Sequence, residues 1–157
     1  MEMSGTVKIC FAASSGGHMV ELSRLTGVME GRESFLITEK SDFREKPFTN
    51  NVYYVDQINR KQASFAICFI KLILRCLRII KKEKADCVIT TGALMGYAAA
   101  LAGKLLRKKV IYIESFARID TASLTGRLIH PIADLFIVQW EEGMRFYKKS
   151  VCGGPIL

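Results

Sequence analysis

The sequence is poor in everything that would hold a metal or a disulfide framework. Its five cysteines, Cys10, Cys68, Cys76, Cys87 and Cys152, are odd in number and form no Cys-x-x-Cys pair. There are two histidines and no Asp-x-Asp. No metal site is expected from such a set, and no cysteine framework. Cys10, Cys68 and Cys87 lie inside apolar runs, as small buried residues do, which fits a reducing compartment. The segment Met1–Gly5 lacks the basic and apolar regions of a signal peptide. Neither a repeat nor a low-complexity segment is present. Acidic residues are also in short supply, with 15 Asp and Glu against 23 Lys and Arg and a net charge of +8. That balance suits an anionic partner: an acidic membrane surface, a phosphorylated substrate or nucleic acid. Nucleic acid is disfavoured, because the basic residues concentrate on one helix and no aromatic–basic interleaving occurs.

What is there is an alternation of apolar strands and helices. At 157 residues the chain fits one domain spanning 1–157. Short apolar runs at 7–13, 34–38, 51–55, 86–90, 109–113 and 134–138 read as buried strands. Residues 19–29, 63–84, 93–106, 123–129 and 141–148 read as helices, the first with Val20, Leu22, Leu25 and Val28 inward. A polar stretch containing Pro47 separates the second and third strands. Continuously apolar strands separated by helices predict an α/β fold, a Rossmann-like doubly wound parallel sheet covered on both faces.

Ligands of such sheets bind at the carboxyl ends of the strands, near the reversal of strand order. Three segments follow the relevant strands. Ser14-Ser15-Gly16-Gly17-His18 leads into a helix, where glycines and free amides suit a phosphate; an ordinary tight turn explains it as well. It is neither G-x-G-x-x-G nor a P-loop, which weakens a dehydrogenase reading. His18 at its mouth is a candidate general base or anion ligand, or simply a surface histidine, whereas His130 before Pro131 looks structural. Thr90-Thr91-Gly92 repeats the strategy, capping a helix while lining the cleft. Glu114 closes the fifth strand, either to handle a hydroxyl proton or to pair with Arg118.

The helix over 63–84 carries Lys71, Arg75, Arg78 and Lys82 at spacings of four, three and four, hence on one stripe. A wide apolar arc surrounds them, and the charges interrupt any run of about 20 apolar residues that would span a bilayer. An interfacial helix is expected, with the basic stripe on headgroups and Phe69 and Leu72 in the apolar part. A buried crossover helix is the alternative.

Four motifs carry a resemblance: Ser-Ser-Gly-Gly-His-x-x-Glu-Leu (14–22), Asp-x-x-Ile-Thr-Thr-Gly (86–92), Ile-Tyr-Ile-Glu-Ser-Phe-Ala-Arg (111–118) and Ala-Asp-Leu-Phe-Ile-Val-Gln-Trp (133–140). Together they resemble the membrane-anchoring subunit of the two-subunit N-acetylglucosaminyltransferase of dolichol-linked oligosaccharide assembly. They look still more like its bacterial relatives, the PssD-type proteins of capsule and exopolysaccharide synthesis. The resemblance implies the N-terminal half of a GT-B glycosyltransferase, similar to that half of MurG. It also implies a partner subunit, similar to the C-terminal half, that binds the nucleotide sugar. The expected activity is an inverting transfer from an NDP-sugar co-substrate to a polyprenyl-diphosphate-linked saccharide, with no cofactor.

In that reading His18 or Glu114 is the base. Ser15, Gly16, Gly17, Thr91 and Gly92 line the substrate side, and Arg118 holds a phosphate or pairs with Glu114. The chain is expected at the cytoplasmic face of the membrane, as a peripheral subunit. The eukaryotic subunit has an N-terminal span, while this chain starts almost at the first strand and ends at 153–157 after one domain; anchoring is expected from the long helix or the partner. A non-catalytic scaffold that activates the partner is the rival reading.

Overall fold

Six apolar runs become six parallel strands in the computed structural model, which describes residues 6–40 and 47–156. They are β1 Lys8–Ala13, β2 Glu33–Glu39, β3 Val52–Val55, β4 Cys87–Thr90, β5 Lys109–Ile113 and β6 Leu135–Val138. A seventh, β7 Val151–Cys152, pairs Val151 with Ile137 at the edge. The order is β3-β2-β1-β4-β5-β6-β7, all parallel, so the reversal point lies between β1 and β4. Every strand therefore sends its carboxyl end to the same edge, and the doubly wound expectation holds. The polar stretch at 41–46 and Met1–Gly5 lie outside the described residues.

The two sheet faces are covered unequally. On one, Ile9, Phe11, Leu36 and Ile89 pack with Met19 and Leu22 of the seven-residue helix α1 (Gly17–Ser23). A short α2 (Thr26–Met29) follows. On the other, Cys10, Phe35, Val88, Val110 and Phe136 pack under α3 (Phe65–Glu83), α4 (Ala93–Leu105) and α5 (Leu124–Ile129). α4 can lie close to the sheet because its inner face is small: a Cβ on Gly96 would stand 2.1 Å from Thr90 Oγ1. A 3-10 turn, Glu141–Arg145, stands where a helix over 141–148 is expected.

Two expectations about helix faces are corrected. The expected helix over 19–29 is broken in two near Arg24 and Leu25, and Val20 and Val28 are exposed rather than inward. Met19 and Leu22 take the inward position because they share one side of α1 over β1, and α1 stops at Ser23, whose hydroxyl bonds back to the Val20 carbonyl at 2.7 Å. In α3, Leu72 is 4% exposed and packs with Cys76, Ile79 and Ile80, so it belongs to the core and not to a headgroup contact.

The basic stripe of α3 divides. Arg75 donates to the Tyr54 carbonyl at 3.0 Å, and the Lys82 ammonium lies over the Tyr53 ring, 5.6 Å from its centroid. Lys71 and Arg78 are exposed. Phe69 is half-buried, stacked between Phe65 and Tyr97. The outward apolar residues of the helix are instead Ile67, Ile70 and Leu74. No helix among the described residues is long and apolar enough to cross a membrane.

Candidate functional site

At the reversal point, β1 and β4 deliver their loops side by side. The turn at 14–18 opens α1 and the Thr90-Thr91-Gly92 turn opens α4, so two helix N-termini meet there. Both N-caps are glycines at positive φ, Gly16 at 87° and Gly92 at 120°, with ψ near −145°; L side chains rarely adopt this region. Among the described residues no side chain caps either helix, and the first turns of both start at the crevice. A Cβ placed on Gly16 or Gly17 would meet nothing within 4 Å, so the space before the turn is open.

His18 sits in this crevice and is fastened through its backbone. Thr91 Oγ1 donates to the His18 carbonyl at 2.8 Å, joining the two turns. The imidazole rests on Gly92: a Cβ there would lie 3.3 Å from His18 Cε1 and 3.2 Å from the Tyr112 hydroxyl. Glycine at 92 is thus required twice, by backbone conformation and by close approach. Nδ1 of His18 is buried and has no protein hydrogen-bond partner among the described residues. Ser15, Gly16, Gly17, His18, Thr91 and Gly92 are therefore brought together, as the motif spacing anticipates.

Glu114 lies beneath this layer and is 2% exposed. Its Oε1 accepts from the Tyr112 hydroxyl at 3.0 Å and the Ser115 amide at 3.0 Å. Its Oε2 accepts from Ser123 Oγ at 2.9 Å, the Ser123 amide at 3.3 Å and the Tyr147 hydroxyl. Five donors on one carboxylate occupy all its acceptor directions. Burial, with Glu114 beside them, pushes the Tyr112 and Tyr147 phenols far above their usual range, so both remain neutral donors. Arg118 is not part of this cluster. It is exposed, and its guanidinium reaches Thr121 Oγ1 at 3.4 Å instead of pairing with Glu114.

A second buried carboxylate lies outside the residues that the motifs single out. Glu21, one helical turn after His18 in α1, is 4% exposed. Its Oε1 accepts from Ser115 Oγ at 2.9 Å and the Phe116 amide at 3.2 Å, and its Oε2 from Gln139 Nε2 at 3.1 Å. Gln139 also donates to the Glu114 carbonyl at 3.0 Å and accepts from the Ile156 amide at 3.0 Å. The short helix carrying His18 is thereby tied to the ends of β5 and β6 and to the C-terminal segment. The available signal was the period: a glutamate on the inward side of an otherwise apolar turn. Glu39, at the end of β2, is a third; burial raises its carboxyl above the usual range against a bond from Ser14 and the nearby Arg60. Among the described residues no group of three or more His, Cys, Asp or Glu side chains gathers as a metal site.

Comparison with solved structures finds the same architecture. MurG of Acinetobacter baumannii superposes with a TM-score of 0.74 at 18% identity over 96% of this chain. A UDP-N-acetylglucosamine 2-epimerase of Rickettsia bellii gives 0.75 at 14% identity over 97%. The chain spans under half of each, 47% and 46%. Among curated sequences it is 30% identical over 178 residues to the rat UDP-N-acetylglucosamine transferase subunit ALG14, covering 95% of this chain and 82% of that one. The human counterpart is 28% identical, covering 97% and 84%. The family model described as oligosaccharide biosynthesis protein Alg14 like matches residues 9–156. The chain thus belongs to the Alg14-like family.

Proposed function

We propose that this chain is the acceptor-binding subunit of a two-subunit inverting glycosyltransferase. In this reading a partner resembling the C-terminal half of a GT-B enzyme binds the nucleotide sugar, UDP-N-acetylglucosamine by analogy with the relatives' names. The acceptor is a polyprenyl-diphosphate-linked saccharide, presented at the cytoplasmic face of a membrane to which the chain binds peripherally. Capsule or exopolysaccharide synthesis is the setting that the motif resemblance favours.

The observation that carries the reading is His18 resting on Gly92 in an open crevice, between the N-termini of α1 and α4. Anionic groups of the acceptor are favoured at such termini. An imidazole beside them takes the proton of the acceptor hydroxyl as its oxygen attacks the anomeric carbon, while the bond to the nucleoside diphosphate breaks with its electron pair. Glu114, with its acceptor directions filled by five donors, serves as a positioning residue: it holds Tyr112, whose hydroxyl approaches Gly92. Arg118 is exposed, and in this reading its guanidinium exchanges the Thr121 hydroxyl for a phosphate. No step needs a divalent cation, and turnover in EDTA is expected to persist.

The test is the co-purified complex with its glycosyltransferase partner. His18→Ala is expected to lower kcat by about 10²- to 10⁴-fold, the usual contribution of a general base, with the complex intact on size exclusion. Unchanged turnover would assign the chemistry to the partner and leave this chain a scaffold.

A further inference from the structure

The helix that carries His18 is too short to hold itself in place. α1 has seven residues, well below the roughly 12–15 at which an isolated helix becomes marginally stable. Met19 and Leu22 bury it over β1, but apolar contact has no preferred direction and lets a short helix slide or turn. Directed bonds fix it instead. In front, Thr91 Oγ1 donates to the His18 carbonyl at 2.8 Å. Behind, Glu21 collects three neutral donors from two other loops: Ser115 Oγ and the Phe116 amide after β5, and Gln139 Nε2 after β6.

Gln139, 2% exposed, is the member whose orientation is not free. Its Nε2 donates to Glu21 Oε2 at 3.1 Å and to the Glu114 carbonyl at 3.0 Å, and its Oε1 accepts from the Ile156 amide at 3.0 Å. Turned over, the carboxamide would set its oxygen against the Glu114 carbonyl and its NH2 against the Ile156 amide. Two backbone groups therefore aim one N–H at Glu21. A carboxylate is a costly way to cover strands that an aliphatic side chain would cover as well. What it adds is a fixed place. Glu21 stands three residues after His18, one helical turn along the same side of α1, so a displacement of one reaches the other. The same carboxylate holds Ser115 and Phe116, which begin the loop to Arg118. His18 and that loop are thus referred to one point, and Gln139 sets it.

We propose that Gln139 is a positioning residue for His18, acting through Glu21. The proposal rests on the acceptor-binding reading above, in which His18 takes the acceptor proton, and adds the part that keeps the imidazole within reach of it. Placement of a reacting group matters steeply, since an error of about 1 Å costs about 10²-fold in rate. The motif over 133–140 thereby gains a role for its one carboxamide, at the point where β6 ends.

The experiment uses the full chain in complex with its glycosyltransferase partner, isotope-labelled in the histidines of this chain alone. There are two, and His130 is held at Nε2 by the Lys148 carbonyl at 2.7 Å, so one ring signal reports the site and the other is a reference. Gln139→Met keeps the length of the side chain and removes its bonds. It is expected to lower kcat by about tenfold or more, to leave KM within about twofold, and to move or broaden the His18 signal alone. Ser115→Ala, at a half-buried position, removes one donor to Glu21 and is expected to act in the same direction to a smaller extent. Should Gln139→Met not fold, Ser115→Ala decides by the same readings. Glu83→Gln, at the amino ends of the strands, is expected to lower the unfolding midpoint while kcat and both ring signals stay as they are. A wild-type kcat and His18 signal in Gln139→Met would overturn the proposal. So would a lost kcat with an unmoved His18 signal, or both histidine signals moving together, which marks a general loosening. A displaced His18 signal at unchanged kcat would uphold the positioning and defeat His18 as the base.

Discussion

The two edges of the sheet treat their less exposed acidic residues in opposite ways, while the exposed Asp56 at the carboxyl edge pairs with Lys40 at 2.8 Å. At the amino edge, acids meet cations. Lys8 Nζ lies 2.7 Å from Glu83 and 3.3 Å from Glu33, and Asp134 takes Lys104 at 3.0 Å, Lys109 at 3.6 Å and the Val110 amide at 2.8 Å. At the carboxyl edge, Glu21 and Glu114 are more deeply buried and bind neutral donors: hydroxyls, backbone amides and one carboxamide. The first arrangement closes strand ends with charges that are partly solvated and replaceable. The second builds a rigid floor without using up cations. The difference separates an edge closed by ion pairs from one closed by neutral donors.

Removing Glu114 should break that floor most severely. Glu114→Ala strands the hydroxyls of Tyr112 and Tyr147 and the Ser123 pair without acceptors. The expected loss is about 3 kcal/mol or more of unfolding free energy, given about 1–3 kcal/mol for each buried group left unpaired. Urea denaturation reads this directly, and a loss under 1 kcal/mol would mean the hub is dispensable. Glu21→Gln is milder, since one oxygen remains and only the Gln139 contact turns into opposed donors. About 1–2 kcal/mol is expected, together with a lowered kcat, because α1 carries both Glu21 and His18. A destabilised variant with unchanged kcat would separate the anchor from the site.

The smallest effect, and the most specific, is a pair of opposite pH slopes. The Lys8 and Tyr53 hydrogen bonds hold Glu83 below its ordinary 4.5, so its contribution is present above that pH and lost as pH falls through the lowered value. Burial holds Glu39 above 4.5, so the folded state binds the proton more tightly, and stability is lost as pH rises through the interval between the two values. Glu83→Gln should therefore destabilise at pH 7, with the deficit shrinking below pH 4.5. Glu39→Gln should stabilise at pH 7, with the gain vanishing at low pH. Thermal melts between pH 3 and 7 compare them, and slopes of the same sign would erase the distinction between the edges.

Much of this layout is legible in the residue order. Six of the seven strands declare themselves as apolar runs, and the loops that meet at the reversal point are those carrying Gly16, His18, Thr91 and Gly92. β7 was not legible, since it has two residues, both exposed, and exists only by pairing with Ile137 and Val138. The break between α1 and α2 depends on how Met19 and Leu22 meet β1, which periodicity alone does not decide. Glu21, Gln139 and Tyr147 stand 118 and 33 residues from the groups they bind, Glu21 with Gln139 and Tyr147 with Glu114. No local spacing encodes such pairs. The basic stripe of α3 was correctly regular, but regularity did not tell which members face the solvent and which lean on β3.

That leaning has a consequence for the open rim of β3. β3 is an edge strand, and Val55 turns its carbonyl inward to Lys40, which leaves the Tyr54 carbonyl pointing away from the sheet. An open row of such groups is a template on which a strand of another chain can add. Arg75 already occupies the Tyr54 carbonyl, and Lys82 spreads its charge across the neighbouring Tyr53 ring. Two cations drawn from the helix stripe thus cover part of that rim, and charge at such a place disfavours strand addition.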